Sequence, residues 1–462
     1  MRVRGESYAG RRLWSTEPGG TLPRPEPRED AMDAAADAFP GALIEDRRVH
    51  RRVYTDPAIF ELELRRIFGR AWLYVGHESQ VPAVGDFATA TLARQPVVMV
   101  RQPDGGIRVL FNRCAHRGAI VAPERCGHAE TFRCAYHGWT YRLDGALQSI
   151  PRAEDYAGTG FERAGSGMKP LPRVATHRGF VFASMAEDGP DLAVFLGPAA
   201  ANLDNMVERA PAGALEIAGG CFQTLQRNNW KIYLENLHDG AHAAIVHQSS
   251  FEAAKRAAAA APDALTRFRA EVVAANSQNY EQMEALEVAC HPRGHSDMKG
   301  FRRQSSAEPD YLDYVARLEA RLGKAGADDA LGLQRHNAMF YPSMSVHPVF
   351  MQLRVIVPLA VDLTRVEIWV LRMKGAPEWM HRRNIGFANT VHSPSSIVKA
   401  DDLEAYARVQ AGVGSQGGEW VSLHRGAGGA RPGSEGAISN ALSEAYIRNQ
   451  YRAWLGYMAG PP

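Results

Sequence analysis

Between Asp56 and Trp72 the apolar residues Ile59, Phe60, Leu64, Ile67 and Phe68 recur at helical spacing, which predicts a leading amphipathic helix. From about residue 80 to 190 the pattern turns to that of strands. Val97-Val98-Met99-Val100 and Ile107-Arg108-Val109-Leu110 flank Pro103-Asp104-Gly105-Gly106, a hairpin signal. Tyr141-Arg142-Leu143, Asp144-Gly145 and Ala146-Leu147 predict a second hairpin, and Gly179-Phe180-Val181-Phe182 a closing strand. The turn-rich Glu187-Asp188-Gly189-Pro190 marks a boundary. Beyond it, helices are predicted at 229–247, in the Ala-rich 252–274, at 309–323, 395–411 and 441–459. Strands are predicted at 351–358 and 365–372, with a glycine-rich loop from Gly426 to Gly436. Strands and helices in separate runs indicate an α+β protein, with no internal repeat. Residues 1–40, rich in Gly, Pro, Arg and Glu, show no period and read as a poorly ordered arm.

Composition narrows this picture in three ways. A chain of 462 residues exceeds one ordinary core, so two or more domains are expected. Charged residues are 23% and the net charge is +2, too balanced to argue for a nucleic-acid partner. No apolar run approaches the roughly 18–20 residues that span a bilayer. Arg11-Arg12 is followed by Glu17, Pro18 and two glycines and not by an apolar core, so it does not read as an export signal. Five cysteines suit metal-bound thiolates in a reducing cytoplasm better than a disulfide framework.

Two constellations carry chemistry. Cys114-Ala115-His116 and, after 17 intervening residues, Cys134-Ala135-Tyr136-His137 form C-x-H and C-x2-H loops on a β scaffold. One Cys and one His per loop is the mixed ligation of a Rieske [2Fe–2S] centre, where two imidazoles raise the potential. The rival is a structural zinc site, which more often pairs its thiolates as C-x2-C. Gly118 and Gly138 would let the backbone approach the cluster, while Cys126, His128, Cys221 and Cys290 read as non-ligands.

The second constellation is Asn229-Trp230-Lys231 through Glu235-Asn236 to Asp239, His242 and His247. Two histidines five apart diverge on a regular helix; a π-type turn or a helix end would align them. Asp239, three before His242, is placed to accept from its second ring nitrogen. A carboxylate would complete a 2-His-1-carboxylate triad for Fe(II). Val398, Asp402 and Tyr406 share one helix face, so Asp402 is chosen as the ligand and Asp401 is expected to point to solvent or a cap.

Together these motifs resemble the α subunits of Rieske non-haem iron aromatic-ring-hydroxylating oxygenases, from about Val49 to Met458. The resemblance includes Phe111-Asn112-Arg113 before the first loop and Gly138-Trp139 after the second. It implies an all-β Rieske domain inserted into a helix-grip catalytic domain: an arm at 1–40, a leading helix packing on the catalytic domain at 41–70, the Rieske domain at 71–190 and the catalytic domain at 191–462. It implies that Cys114, His116, Cys134 and His137 hold the cluster, and His242, His247 and Asp402 a mononuclear Fe(2+). Asp239 then resembles the acid that links His242 to His137 of the partner subunit in a trimer. Asn236, Val398 and Tyr406 fall where relatives line the pocket. Many relatives carry an aromatic residue where this chain has Ala241, so substrate shape does not transfer.

The implied reaction is cis-dihydroxylation of an aromatic ring, with electrons from NAD(P)H through a reductase, a ferredoxin or both. Alternatives are monooxygenation or oxidative demethylation at the same centres, a pure electron carrier, and a non-catalytic binder of apolar ligands. The resemblance favours a small β subunit (α3β3) over α3, without nucleic acid or membrane partners. The substrate is not legible: Arg335, His336, His347 and Arg354 could meet a carboxylate, yet read first as structural or surface residues.

Overall fold

Period-two alternation in the first sheet serves two cores at once. Strand Gln95–Arg101 pairs antiparallel with Ile107–Phe111, Val97 opposite Phe111 and Arg101 opposite Ile107, closing the first expected hairpin. Val97 and Met99 face the large core of the chain, while Val98 and Val100 face a smaller cluster with Leu110, Cys114, Cys134 and Tyr141. A computed structural model of the chain describes residues 40–274, 279–302, 307, 309–428 and 436–460. The arm expected at 1–40 lies outside them, except for Pro40, and so does most of the glycine-rich loop at 426–436.

Three small antiparallel sheets make the first part. Asp86–Leu92, Gln95–Arg101, Ile107–Phe111 and Cys126–His128 form one, with the long hairpin at its centre. Thr140–Tyr141 pairs with Leu147–Ser149 in the second expected hairpin, turning at Gly145 with φ +91°. Phe180–Ser184, the expected closing strand, lies between Arg173–His177 and Leu73–His77.

The second part is built on an eight-stranded antiparallel sheet. Its order is Leu215–Gln226, Leu363–Met373, Gln352–Ala360, Met344–His347, Leu333–Phe340, Ser296–Arg302, Glu287–Cys290 and Ile438–Asn440. Sequence reading found only two of these strands. Leu215–Gln226 escaped because a bulge between Ala218 and Cys221 breaks its alternation. Leu333–Phe340 escaped because polar residues, among them His336 and Asn337, face an internal cavity.

Several helices differ from expectation. The leading helix runs over Pro57–Glu63, capped by Asp56, continues as a π-type turn over Leu64–Phe68, and stops before Trp72. The stretch 252–274 is two helices, Gln248–Ala259 and Ala264–Ala274. The 309–323 helix extends over Pro309–Gly332 with a break at Gly323, φ +72°. Ile397–Val413 and Ala445–Ala459 lie close to their expected places.

The start of the described chain packs on the second part, so the residues between form an insertion. Arg48–His50 pairs with Trp420–Ser422. Glu63, fully buried, accepts from Lys231 Nζ at 2.6 Å, Trp454 Nε1 at 2.7 Å and Trp230 Nε1 at 2.8 Å. A buried cation needs such a counter-charge. Burial lowers the pKa of Lys231, and Glu63 opposes that shift. The Asn-Trp-Lys motif is thereby a clamp between chain ends. Asn229 caps the helix Trp230–Asn236, and Glu235 accepts from Tyr54 at 3.0 Å and Tyr451 at 2.6 Å. Of these motif residues, only Asn236 reaches the cavity described below.

Candidate functional site

The two cysteine–histidine loops repeat one turn. Cys114 N–H donates to Ala119 O and Gly118 N–H to Cys114 O; likewise Cys134 N–H to Trp139 O and Gly138 N–H to Cys134 O. Each turn needs a left-handed residue four after its cysteine, and Gly118 (φ +74°) and Gly138 (φ +72°) supply it. Asn112 braces the first loop by accepting from Val121 and Ala122 N–H. Both thiols are buried and unbridged, whereas His116 and His137 are only partly covered, their rings 4.6 Å apart. Trp139 stacks on His116 at 5.0 Å.

These donors fit a cluster better than a single ion. Tetrahedral zinc at ordinary bond lengths would bring its donors to about 3.3–3.8 Å of one another. Among the described residues, the only His, Cys, Asp or Glu group so gathered, with all donors within 4.8 Å, is elsewhere. A two-iron cluster spans a wider gap, and His116 Nδ1 is a buried nitrogen without a hydrogen-bond partner. Cys126 and His128 lie exposed on a separate strand, His128 paired with Asp86 at 2.9 Å.

Tyr141, which sequence reading passed over, is the main polar neighbour of the first thiol. Its oxygen accepts from Ala115 N–H at 3.1 Å, leaving its O–H to donate to Cys114 Sγ at 3.0 Å. Burial pushes the Cys114 thiol up, but Tyr141 and the loop N–H groups outweigh it and hold it below its ordinary pKa. Removing a hydrogen bond worth about 1 kcal/mol to the reduced, more negative state should lower a one-electron potential by about 40 mV. Tyr141→Phe is expected to show that drop in a redox titration, with the cluster spectrum retained.

The gathered group is His242, His247 and Asp402. His242 lies in helix Gly240–Val246, and His247 sits just past its end, where Gln248–Ala259 begins. A helix end, not a π-type turn, therefore brings residues five apart together, with ring centroids 5.5 Å apart. Ser396 caps the helix Ile397–Val413, which projects Asp402 between them. Asp402 Oδ1 lies 3.2 Å from His247 Nε2 and 3.7 Å from His242 Nε2. Burial would raise Asp402, but Lys399 and the two histidines outweigh it and hold its carboxyl low. Burial lowers His242. It also presses on His247, where Asp402 and Asp401 prevail and raise the pKa.

Two expectations about neighbouring acids change. Asp401 does not point to solvent or cap its helix: its Oδ2 accepts from Ser250 at 2.7 Å and lies 3.3 Å from His247 Nδ1. Its place beside the second ring nitrogen of His247 is that of a carboxylate able to orient the imidazole. The Asp239 carboxylate does not accept from His242. Asp239 is the N-cap residue, with extended backbone, so the helical i, i+3 alignment does not apply to it. Its Oδ1 instead accepts from Ala241 N–H at 3.0 Å and Arg425 Nη2 at 2.9 Å. Nothing in the sequence signalled Arg425, which lies 186 residues away.

The triad opens on a cavity of about 180 Å³. Asn236, Val398 and Tyr406 all line it, Tyr406 donating to Asn236 Oδ1 at 2.8 Å. Phe251, Phe387 and Val391 form an apolar wall, with Phe387 stacked on Phe350. Lys399, unnoticed in the sequence, is buried 3.7 Å from Asp402 Oδ2 and over the rings of Tyr233 and Tyr406. Three donors gathered on one side of this space leave coordination positions open, as an Fe(II) triad requires.

The Rieske [2Fe-2S] domain family matches residues 71–166, and the catalytic domain of ring-hydroxylating alpha subunits matches residues 222–456. Toluate 1,2-dioxygenase subunit alpha of Pseudomonas putida is 33% identical over 385 residues, 82% of each chain. Biphenyl dioxygenase subunit alpha of Paraburkholderia xenovorans is 31% identical over 435 residues, 89% of this chain and 90% of that one. The crystal structure of a naphthalene 1,2-dioxygenase mutant bound to phenanthrene superposes with a TM-score of 0.76 at 25% identity, covering 91% of this chain and 95% of that one. No described helix is long and apolar enough to cross a membrane. The chain therefore belongs to the family of ring-hydroxylating oxygenase alpha subunits that join a Rieske [2Fe–2S] domain to a mononuclear-iron catalytic domain.

Proposed function

We propose that this chain is the terminal oxygenase subunit that adds both atoms of O₂ to an aromatic ring, giving a cis-dihydrodiol. The observation that carries this reading is the His242–His247–Asp402 group opening onto a cavity with one apolar wall, Phe251, Phe387 and Val391, in a chain with a Rieske domain. Cys114, His116, Cys134 and His137 would hold the cluster, and His242, His247 and Asp402 the mononuclear iron. When bound, the cluster supplies one-electron transfer and the iron supplies activation of O₂.

The remaining work falls to the protein's own side chains. Asp401 fixes the His247 ring, Lys399 neutralises Asp402, and Phe251, Phe387 and Val391 exclude water and orient the ring. The partly covered His116 and His137, beside an exposed Tyr136, suit receipt of electrons from a ferredoxin or reductase fed by NAD(P)H. Asp239, partly exposed at its helix end, is assigned the link to His137 of the partner subunit. An α3β3 assembly in the cytoplasm completes the proposal, with α3 as its alternative. The domain limits we assign are 71–190 for the Rieske domain and 191–462 for the catalytic domain, with 41–70 packed on the latter. One relative is named for toluate and another for biphenyl, so the ring is common to both and the charge is not.

Turnover under ¹⁸O₂, with NADH and a matched reductase, tests the reaction. Two labelled oxygens in the product are expected. One labelled oxygen, with the other lost to water, would replace dioxygenation by monooxygenation.

A further inference from the structure

Arg354 stands out in the cavity wall because its charge has no counterpart. It lies on strand Gln352–Ala360 inside the eight-stranded sheet, 3% exposed. Its Nη1 donates to Asn337 Oδ1 at 3.0 Å, and its Nη2 to Gln352 Oε1 at 3.4 Å and His392 Nε2 at 3.2 Å. Its Nε is buried without a partner. The two amides carry no charge, and His392 Nε2, accepting from a guanidinium that can only donate, carries no proton. Among the described residues no carboxylate lies within 4.0 Å of the guanidinium. The other charges of the cavity are matched: Lys399 with Asp402, and Asp239 with Arg425.

A guanidinium removed from water with hydrogen-bond acceptors but no anion is left uncompensated. With both Nη2 hydrogens engaged, the Nε–H and the second Nη1 hydrogen remain to meet an anion, and a carboxylate is such a group on an organic ligand. His347, buried with its Nδ1 unpartnered, lines the same cavity. The cavity volume of about 180 Å³ limits the remainder of the ligand. A cavity of about 150 Å³ holds one benzene.

We propose that the cavity takes a single-ring aromatic carboxylate, its carboxylate on Arg354 and its ring against Phe387 and Val391, facing the His242–His247–Asp402 group. This rests on the oxygenase reading and narrows it from any arene to an anionic one. Arg354 is then the specificity-determining residue, and the initial reading of it as structural or surface gives way to a buried charge inside the cavity.

The test is calorimetric titration of the full-length, iron-loaded protein with benzoate and with methyl benzoate, which keeps the ring and removes the charge. Benzoate is expected to bind at least about tenfold tighter. Arg354→Met should abolish that preference. Because a buried arginine can matter for folding, Gln352→Glu is the second variant. Gln352 Nε2 has no hydrogen-bond partner, so the exchange loses none and gives Arg354 an internal carboxylate. It should weaken benzoate at least about tenfold while leaving methyl benzoate within about twofold. Benzoate no tighter than its ester, or a preference that survives Gln352→Glu, overturns the proposal. Turnover of benzoate and toluene, measured alongside, separates the two claims. Hydroxylated toluene without selective benzoate binding removes the anchor and keeps the oxygenase; selective binding with no hydroxylated product from either removes the oxygenase and keeps the anchor.

Discussion

Asp402→Ala is expected to cut product formation by more than about 100-fold, the upper end of what losing an outer hydrogen-bond partner of a metal ligand costs. The substitution removes the only oxygen donor of the gathered group and leaves two imidazoles that cannot hold Fe(II) in a facial set. Iron analysis should show the loss of about one iron in three, because the cluster donors lie on a separate hydrophobic cluster around Cys114 and Cys134. The Rieske EPR signal of the reduced protein should be unchanged. Asp401→Asn makes the internal comparison. It keeps all three donors but weakens the acceptor at His247 Nδ1 and Ser250, so an intermediate loss of about 10–100-fold is expected. Equal losses for the two variants would mean that the ligand and its support have been assigned the wrong way round.

Asp239→Ser is expected to lower steady-state turnover by about 10–100-fold, the cost of losing an outer partner of a metal-bound histidine, while both iron sites remain filled. Serine is as good an N-cap as aspartate, so the Ala241 N–H keeps an acceptor and the helix carrying His242 keeps its start. What is lost is the carboxylate, and with it one of the two acidic partners of Arg425, Glu444 remaining, and the proposed link between subunits. Rapid-mixing absorbance should show the cluster reduced at the normal rate by its electron donor, then reoxidised slowly in the presence of O₂ and substrate. Normal reoxidation in Asp239→Ser would reduce Asp239 to a helix cap, and the electron route would have to be sought elsewhere.

What the sequence disclosed was local. The cysteine and histidine loops are read off spacing because each ligand pair lies within one turn, closed by its own glycine. The alternation of Val97 to Val100 is equally local, and the hairpin follows. Asp402 was separable from Asp401 by its phase with Val398 and Tyr406 on one helix. The partners of Asp401 were not, because Ser250 and His247 lie about 150 residues away and meet it only once the sheet is folded. Asp239 shows the converse limit: a helical spacing was applied to a residue whose extended backbone places it just outside the helix. The strand carrying His336 and Asn337 was missed for a functional reason, since residues facing a polar cavity lose the apolar alternation by which strands are found. Arg354 could be named as a possible carboxylate partner but not set above a structural or surface reading, because sequence does not display the absence of a counter-charge.

The claim on which the rest depends is that one polypeptide holds two iron centres of unlike ligation. Mössbauer spectroscopy of the reduced, ⁵⁷Fe-enriched full-length protein reads this directly. Three iron environments per chain are predicted: one bound by thiolates, one by imidazoles within the cluster, and a third high-spin Fe(II) with only nitrogen and oxygen donors. A spectrum with the third absent from iron-replete protein, or zinc found in place of the cluster, would contradict the account.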